Sequence, residues 1–214
     1  MIGAPTERLC SFSDGVFSVI ITIMVLDLKS PARANLAELL PLWPTALSYA
    51  VSYLFVAIIW INHHRLLFFA HDATPKLIWW NFAHLFMTSL VPFSTAWIAQ
   101  RKLSAGPVVF YAAVFVMINV AFLGYQQEAL SQAHTSEVSP TTRRLTRARG
   151  LLTLGIFSTA SGVAYWLPWV GFALVCCVLF IYLKPQVPGE GLGIRRGRNL
   201  EASDSNAEPA RKES

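Results

Sequence analysis

Residues 8–28 read RLCSFSDGVFSVIITIMVLDL. From Val16 to Leu26 only Ser18 and Thr22 interrupt the apolar run, and no charge stands between Asp14 and Asp27. Arg8 and Asp27 lie 19 residues apart, about 28 Å along a helix, close to the ~30 Å hydrocarbon core of a bilayer. The stretch therefore reads as a transmembrane helix with a charge at each face and a third, Asp14, about 9 Å inward from Arg8.

The rest of the chain has the same character. Charge-free stretches run over 39–62, 77–100, 103–127 and 150–183. Hydrophobic residues make up 54% of the 214 and charged residues 14%, against about 25% charged in soluble domains. A soluble fold cannot hide so many membrane-length runs. The last stretch is too long for one span, reaching about 51 Å as a helix. Pro168 disfavours helix at the residue before it, and Tyr165, Trp166 and Trp169 suit a turn at the membrane–water interface. These readings give an all-α polytopic membrane protein with six transmembrane helices, near 8–28, 40–64, 76–100, 105–127, 147–166 and 168–184, in one domain over 1–184.

Cations set the expected orientation. With the N-terminus cytoplasmic, thirteen Lys and Arg fall inside (Arg8, Arg65, Lys76, Arg143, Arg144, Arg147, Arg149 and six after the last helix), and Lys29, Arg33, Arg101 and Lys102 fall outside. The positive-inside rule then puts both termini in the cytoplasm of a multi-pass plasma-membrane protein. No cleavable leader is expected, because Glu7 and Asp14 interrupt the start. Residues 185–214, with balanced charge and no Phe, Trp or Tyr, read as a disordered cytoplasmic tail. Residues 128–146 read as a polar cytoplasmic loop. The net charge of +5 reflects membrane-flanking cations rather than a nucleic-acid surface. Cys176 and Cys177, adjacent inside an apolar run, read as small core residues, and neither a disulfide nor a metal site is expected from these two or Cys10.

The chemistry concentrates on the first helix. At about 100° per residue, Gly15, Val19, Thr22 and Leu26 share a narrow stripe, and Asp14 points about 100° away from it. The stripe has two possible uses: lining a narrow path, or packing against helices or lipid. An ionisable group at Asp14's depth needs a partner or a wet cavity. A second cluster, Trp60-Ile61-Asn62-His63-His64-Arg65, ends the second helix, and the third adds Asn81, His84 and a kink at Pro92-Phe93-Ser94-Thr95. Adjacent histidines diverge by about 100°, and neither helix supplies a carboxylate. The cluster thus reads as a buried hydrogen-bond network, with Asp14 and Arg8 as partners, rather than a metal site. His71-Asp72 reads as a surface pair in a loop.

The chain has no Thr-Val-Gly-Tyr-Gly filter, no arginine at every third span position, no Walker loop, no His-Glu-x-x-His and no Gly-x-Ser-x-Gly. An enzyme is not expected. A proton-coupled secondary transporter, using Asp14 with His63 or His64 as a relay, is the alternative to a channel.

Arg8-x-x-x-Phe12-Ser13-Asp14-Gly15-Val16-Phe17-Ser18-x-x-x-Thr22 resembles the signature of the endosomal/lysosomal potassium channel family, in its six-helix bacterial branch. Trp60-x-x-His63-His64 and Asn81…Leu90-Val91-Pro92-Phe93-x-Thr95 are similar to that family's second and third helices. The resemblance is specific over about 8–100. It implies a homotetramer in the bilayer, with four first helices around a central pore, and potassium-selective leak conduction without a carbonyl-lined filter loop. It implies that Val19 matches the hydrophobic constriction, usually Ile or Leu, and that Thr22 matches a selectivity-linked hydroxyl ring. Ile23 and Leu26 would add apolar rings toward the outer end. Arg8, Phe12, Ser13, Asp14, His63, His64 and Asn81 would form the structural motif network. No cofactor is implied, and no metal beyond permeant potassium near Thr22.

Overall fold

The computed structural model describes residues 4–31, 34–133 and 138–182. Among the described residues there is helix and no strand. The helices are α1 (Ala4–Leu26), α2 (Trp43–Leu67), α3 (Pro75–Thr88), α4 (Val91–Gln100), α5 (Ala105–Gln132), α6 (Pro140–Ala164) and α7 (Pro168–Tyr182), with a short 3-10 helix, Leu36–Leu42, leading into α2. α3 and α4 are one membrane span broken at Ser89 and Leu90, where Pro92 at the second position of α4 has no N–H to continue the ladder. The seven helices thus make six spans. Thr6–Leu26, Leu36–Leu67, Pro75–Gln100 and Ala105–Gln132 are long and apolar enough to cross a bilayer on their own. The α6–α7 hairpin completes the set, turning where Tyr165, Trp166 and Trp169 are exposed.

α1 begins four residues before the expected 8 and α2 ends three residues past the expected 64. The larger differences are at the end of α5 and the start of α6, where polar residues find partners. α5 continues to Gln132 instead of stopping at 127. Glu128 receives Lys76 Nζ at 2.9 Å and the Thr74 hydroxyl at 3.0 Å, while Gln132 Oε1 accepts from the Asp72 amide at 2.9 Å. α6 starts at Pro140, not 147, with the Ser139 side chain capping the Thr142 amide at 3.1 Å. The expected polar loop over 128–146 shrinks accordingly. Arg143, expected only as a membrane-flanking cation, also closes the end of α5: its guanidinium donates to the carbonyls of Leu130 and, at 2.7 Å, Ala133. The tail 185–214 lies outside the described residues.

α5 is the central helix, packed on α3, α4, α6 and α7, whereas α1 lies at one side against α2, α3 and α4. One core cluster joins Phe17, Ile20 and Met24 of α1 to Phe55, Tyr111, Phe115, Phe157 and Phe172. A second, toward the Arg8 end, gathers Leu9, Leu66, Leu67, Leu77, Tyr125 and Leu130. Small residues make the α6–α7 crossing a close one. A methyl group on Gly171 of α7 would lie 2.5 Å from Ala164 Cβ and 2.9 Å from the Ala160 carbonyl oxygen. Gly171→Ala is therefore expected to cost about 1–3 kcal/mol by overpacking, read as a lower thermal midpoint of the purified protein; an unchanged midpoint would mean the hairpin opens freely.

Candidate functional site on the first helix

α1 has two unlike faces. Thr6, Leu9, Ser13, Phe17, Ile20 and Met24 recur every three or four residues and are buried against the bundle. Ser11, Gly15, Ser18, Val19, Thr22, Ile23 and Leu26 stand on the other side and are exposed, Val19 at 54% and Leu26 at 79%. The stripe drawn from helical geometry is thus on the outer surface of the protomer. The Thr22 hydroxyl donates back to the carbonyls of Val19 (2.9 Å) and Ser18 (3.1 Å). Its proton is spent inside the helix, so the oxygen presents lone pairs outward. Nothing lies within 4 Å of a methyl built on Gly15. Phe12, half exposed, pairs with Phe82 at a centroid distance of 5.5 Å.

Asp14 is turned aside from the stripe. The Trp60 indole N–H donates to its Oδ1 at 2.7 Å, and His64 Nδ1 lies 3.7 Å from the same oxygen. Cys10, one turn earlier, places its thiol 3.7 Å from Asp14 Oδ2 and 3.5 Å from His64 Nδ1. Trp60 and His64 are themselves one helical turn apart on α2, so a single face of that helix meets Asp14. The His64 ring packs against Trp60 on one side and edge-on to Phe68 on the other.

His63 points elsewhere. Its Nε2 lies 2.6 Å from Asn81 Oδ1, which also receives the Ser13 hydroxyl at 3.2 Å. Ser13 shares that proton with the Leu9 carbonyl at 2.8 Å. The three side chains come from α1, α2 and α3 and are fully buried. The His63 ring stacks nearly parallel to Tyr125 (4.6 Å) and His84 (5.6 Å). A separate buried chain, Thr95 to Ser52 at 2.7 Å and Ser52 to Tyr111 at 2.8 Å, ties α4, α2 and α5 farther along.

The residues singled out from sequence therefore fall into three groups. Val19, Thr22, Ile23 and Leu26 share the exposed face. Asp14 meets His64, and Ser13 meets Asn81 and His63. Arg8 is exposed and, among the described residues, makes no ion pair or hydrogen bond, so it is not Asp14's partner. Trp60 takes that place. Its four-residue spacing from His64, which puts both on one face of α2, is the sequence signal for this pairing. Cys10, for which no role is expected from the sequence, also joins this group, one turn before Asp14.

The profile of the family described as endosomal/lysosomal potassium channel TMEM175 matches residues 8–92, close to the span over which the resemblance is specific. A potassium channel of Chamaesiphon minutus is 31% identical over 202 residues, covering 85% of this chain and 97% of that protein. A potassium channel of a Chryseobacterium species is 40% identical over 115 residues, 54% of this chain and 60% of the relative. One from Streptomyces collinus is 34% identical over 120 residues, 53% and 57%. The matches to these last two thus span less than two thirds of the relatives' length. The fold is that of the crystal structure of a lysosomal potassium-selective channel TMEM175 homolog from Chamaesiphon minutus, at a TM-score of 0.75 and 23% identity, covering 85% of this chain and 97% of that one. Near end-to-end similarity to one relative, and the profile match over the helices that carry the motifs, establish that the chain belongs to the TMEM175 family, a family of channels rather than enzymes.

Proposed function

We propose that the protein is a potassium-selective leak channel whose pore is lined by α1 from four copies of the chain. The observation that carries this reading is the division of α1. One face is anchored by Ser13, Phe17, Ile20 and Met24. The other leaves Val19, Thr22, Ile23 and Leu26 without cover from the protomer's own helices. A second copy, turned about an axis beside this face, would bring the same side chains together as rings. Val19 then forms an apolar neck at which ions shed water, Ile23 and Leu26 form apolar rings beyond it, and Thr22 supplies four oxygens that replace part of the lost hydration shell. Potassium loses less than sodium on dehydration, so such a neck favours it without a filter loop of carbonyls. The permeant ion is held near Thr22, and no cofactor takes part. Asp14 positions α1 through Trp60 rather than binding the ion.

The same reading places the chain in the plasma membrane with both termini cytoplasmic, because Arg65, Lys76 and Arg143 gather at the Arg8 end. A proton-coupled transporter has less behind it. Asp14 and His64 are in contact, but His63 spends its Nε2 on Asn81 and sits in a different cluster. The test is recording from purified protein in planar bilayers under opposed potassium and sodium gradients. A reversal potential displaced toward the potassium equilibrium value, independent of a proton gradient, is expected. A reversal potential that follows the proton gradient would overturn the reading in favour of coupled transport.

A further inference from the structure

We propose that Cys10, Asp14 and His64 form a binding site for a divalent cation of the zinc class, which clamps α1 to α2. One ligand atom from each lies within 4.8 Å of the others. The measured edges are 3.7 Å from the thiol to Asp14 Oδ2, 3.5 Å from the thiol to His64 Nδ1, and 3.7 Å from His64 Nδ1 to Asp14 Oδ1. Zinc binds thiolate sulfur at about 2.3 Å and imidazole nitrogen or carboxylate oxygen at about 2.0–2.2 Å, so a tetrahedral ion separates such ligands by about 3.3–3.6 Å. The two thiol edges are within a few tenths of an ångström of that spacing before any ion arrives, and a small turn of the Asp14 carboxylate closes the third side, from His64 to Oδ2.

The surroundings of the triad suit the same role. Cys10 and Asp14 stand one turn apart on α1 and His64 comes from α2, so the ligands approach from two rigid elements. The Trp60 N–H on Asp14 Oδ1 at 2.7 Å fixes the carboxylate and leaves Oδ2 for the metal. Trp60 and Phe68 hold the His64 ring. Partners of this kind set ligand orientation and commonly change metal affinity when removed. All three ligands are half-buried, which leaves the fourth coordination position to water.

The donor chemistry is selective. One sulfur, one nitrogen and one oxygen favour zinc and its neighbours over magnesium or calcium, which prefer oxygen alone. Binding displaces the thiol proton to solvent, and a thiolate with a carboxylate balances a dication. The ion then exchanges weak thiol hydrogen bonds for coordinate bonds that hold α1 and α2 at a fixed rotation. The proposal needs only these three side chains and stands whether or not α1 lines a pore.

The test uses the full-length protein in detergent, stripped with chelator and kept reduced, then titrated with Zn2+ and, separately, Co2+. The expected result is one ion per protomer, a thiolate-to-Co2+ charge-transfer band in the near ultraviolet, and a thermal midpoint that rises with Zn2+. In Cys10→Ser, which runs as the same oligomer, the band disappears and affinity falls by roughly tenfold or more. No binding by the parent, binding without the charge-transfer band, or a Cys10→Ser protein that binds Zn2+ as tightly as the parent each overturns the site. Loss of the band in Cys10→Ser also excludes Cys176 and Cys177 as the source, since both are unchanged there.

Discussion

Val19→Asn is expected to raise single-channel potassium conductance by on the order of tenfold, because lowering a barrier by about 1.4 kcal/mol multiplies a rate by ten. In the proposed pore, four valines around an axis would leave a gap whose walls offer water no hydrogen bonds, so a passing ion would cross it partly dehydrated. An asparagine ring supplies donors and acceptors at the same level and keeps the neck wet. The side chain is 54% exposed and packs little against its own protomer, so a change in current would not come from a disrupted fold. The opposite substitution sharpens the test. Val19→Leu lengthens the side chain and is expected to lower conductance. Opposite signs at one position require the residue to lie in the ion path. A lipid-facing asparagine would instead lower stability and leave conductance alone. Single-channel recording in symmetric potassium reads both variants, and conductances equal to the parent's in both would remove Val19 from the constriction.

How much of this was written in the sequence depends on which physical signal each feature leaves. The spans were legible because a bilayer demands long charge-free runs, and the break of the third span was legible because Pro92 removes a backbone donor. The division of α1 was half legible. Helical spacing separates Gly15, Val19, Thr22 and Leu26 from Asp14, but only the packing of Phe17, Ile20 and Met24 against the bundle says which stripe is covered. The end of α5 and the start of α6 were misread for one reason. Glu128, Gln132 and Arg143 look like loop residues until Lys76, the Asp72 amide and the carbonyls of Leu130 and Ala133 are placed beside them. Of the partners expected for Asp14, the second-helix histidines supply His64, while the place expected of Arg8 goes to the neutral Trp60 N–H, which the relative rotation of α1 and α2 delivers. The carboxylate that meets His64 is Asp14 of α1, as the pairing of the first helix with the second-helix histidines leads one to expect.

Asn81→Leu is the substitution expected to destabilise the protein most among those around the motif. Leucine is close to asparagine in size, so the effect is not that of a cavity. What is lost is an acceptor: Asn81 Oδ1 serves His63 Nε2 at 2.6 Å and the Ser13 hydroxyl at 3.2 Å, in a site with no solvent exposure. Ser13 keeps the Leu9 carbonyl at 2.8 Å, so it is not stranded. His63 is. Its Nδ1 already has no hydrogen-bond partner, and without Asn81 the whole ring is buried unpaired. A buried polar group deprived of its partner costs about 1–3 kcal/mol. The leucine recovers a little by removing the Asn81 amide nitrogen, itself buried without a partner. A net loss of about 2 kcal/mol is therefore expected, read as a lower thermal midpoint and a smaller monodisperse fraction in detergent. Adding His63→Phe should restore much of it, because replacing both partners by apolar groups is nearly neutral and a phenyl ring keeps the stack with Tyr125 and His84. If the single variant is as stable as the parent, or the double variant is no better than the single, the hydrogen bond does not hold these helices. Because Ser13 is the α1 member of the triad, loosening it also frees the rotation of the helix that carries Val19 and Thr22. Conductance in Asn81→Leu should then become variable from channel to channel, and the double variant should make it uniform again.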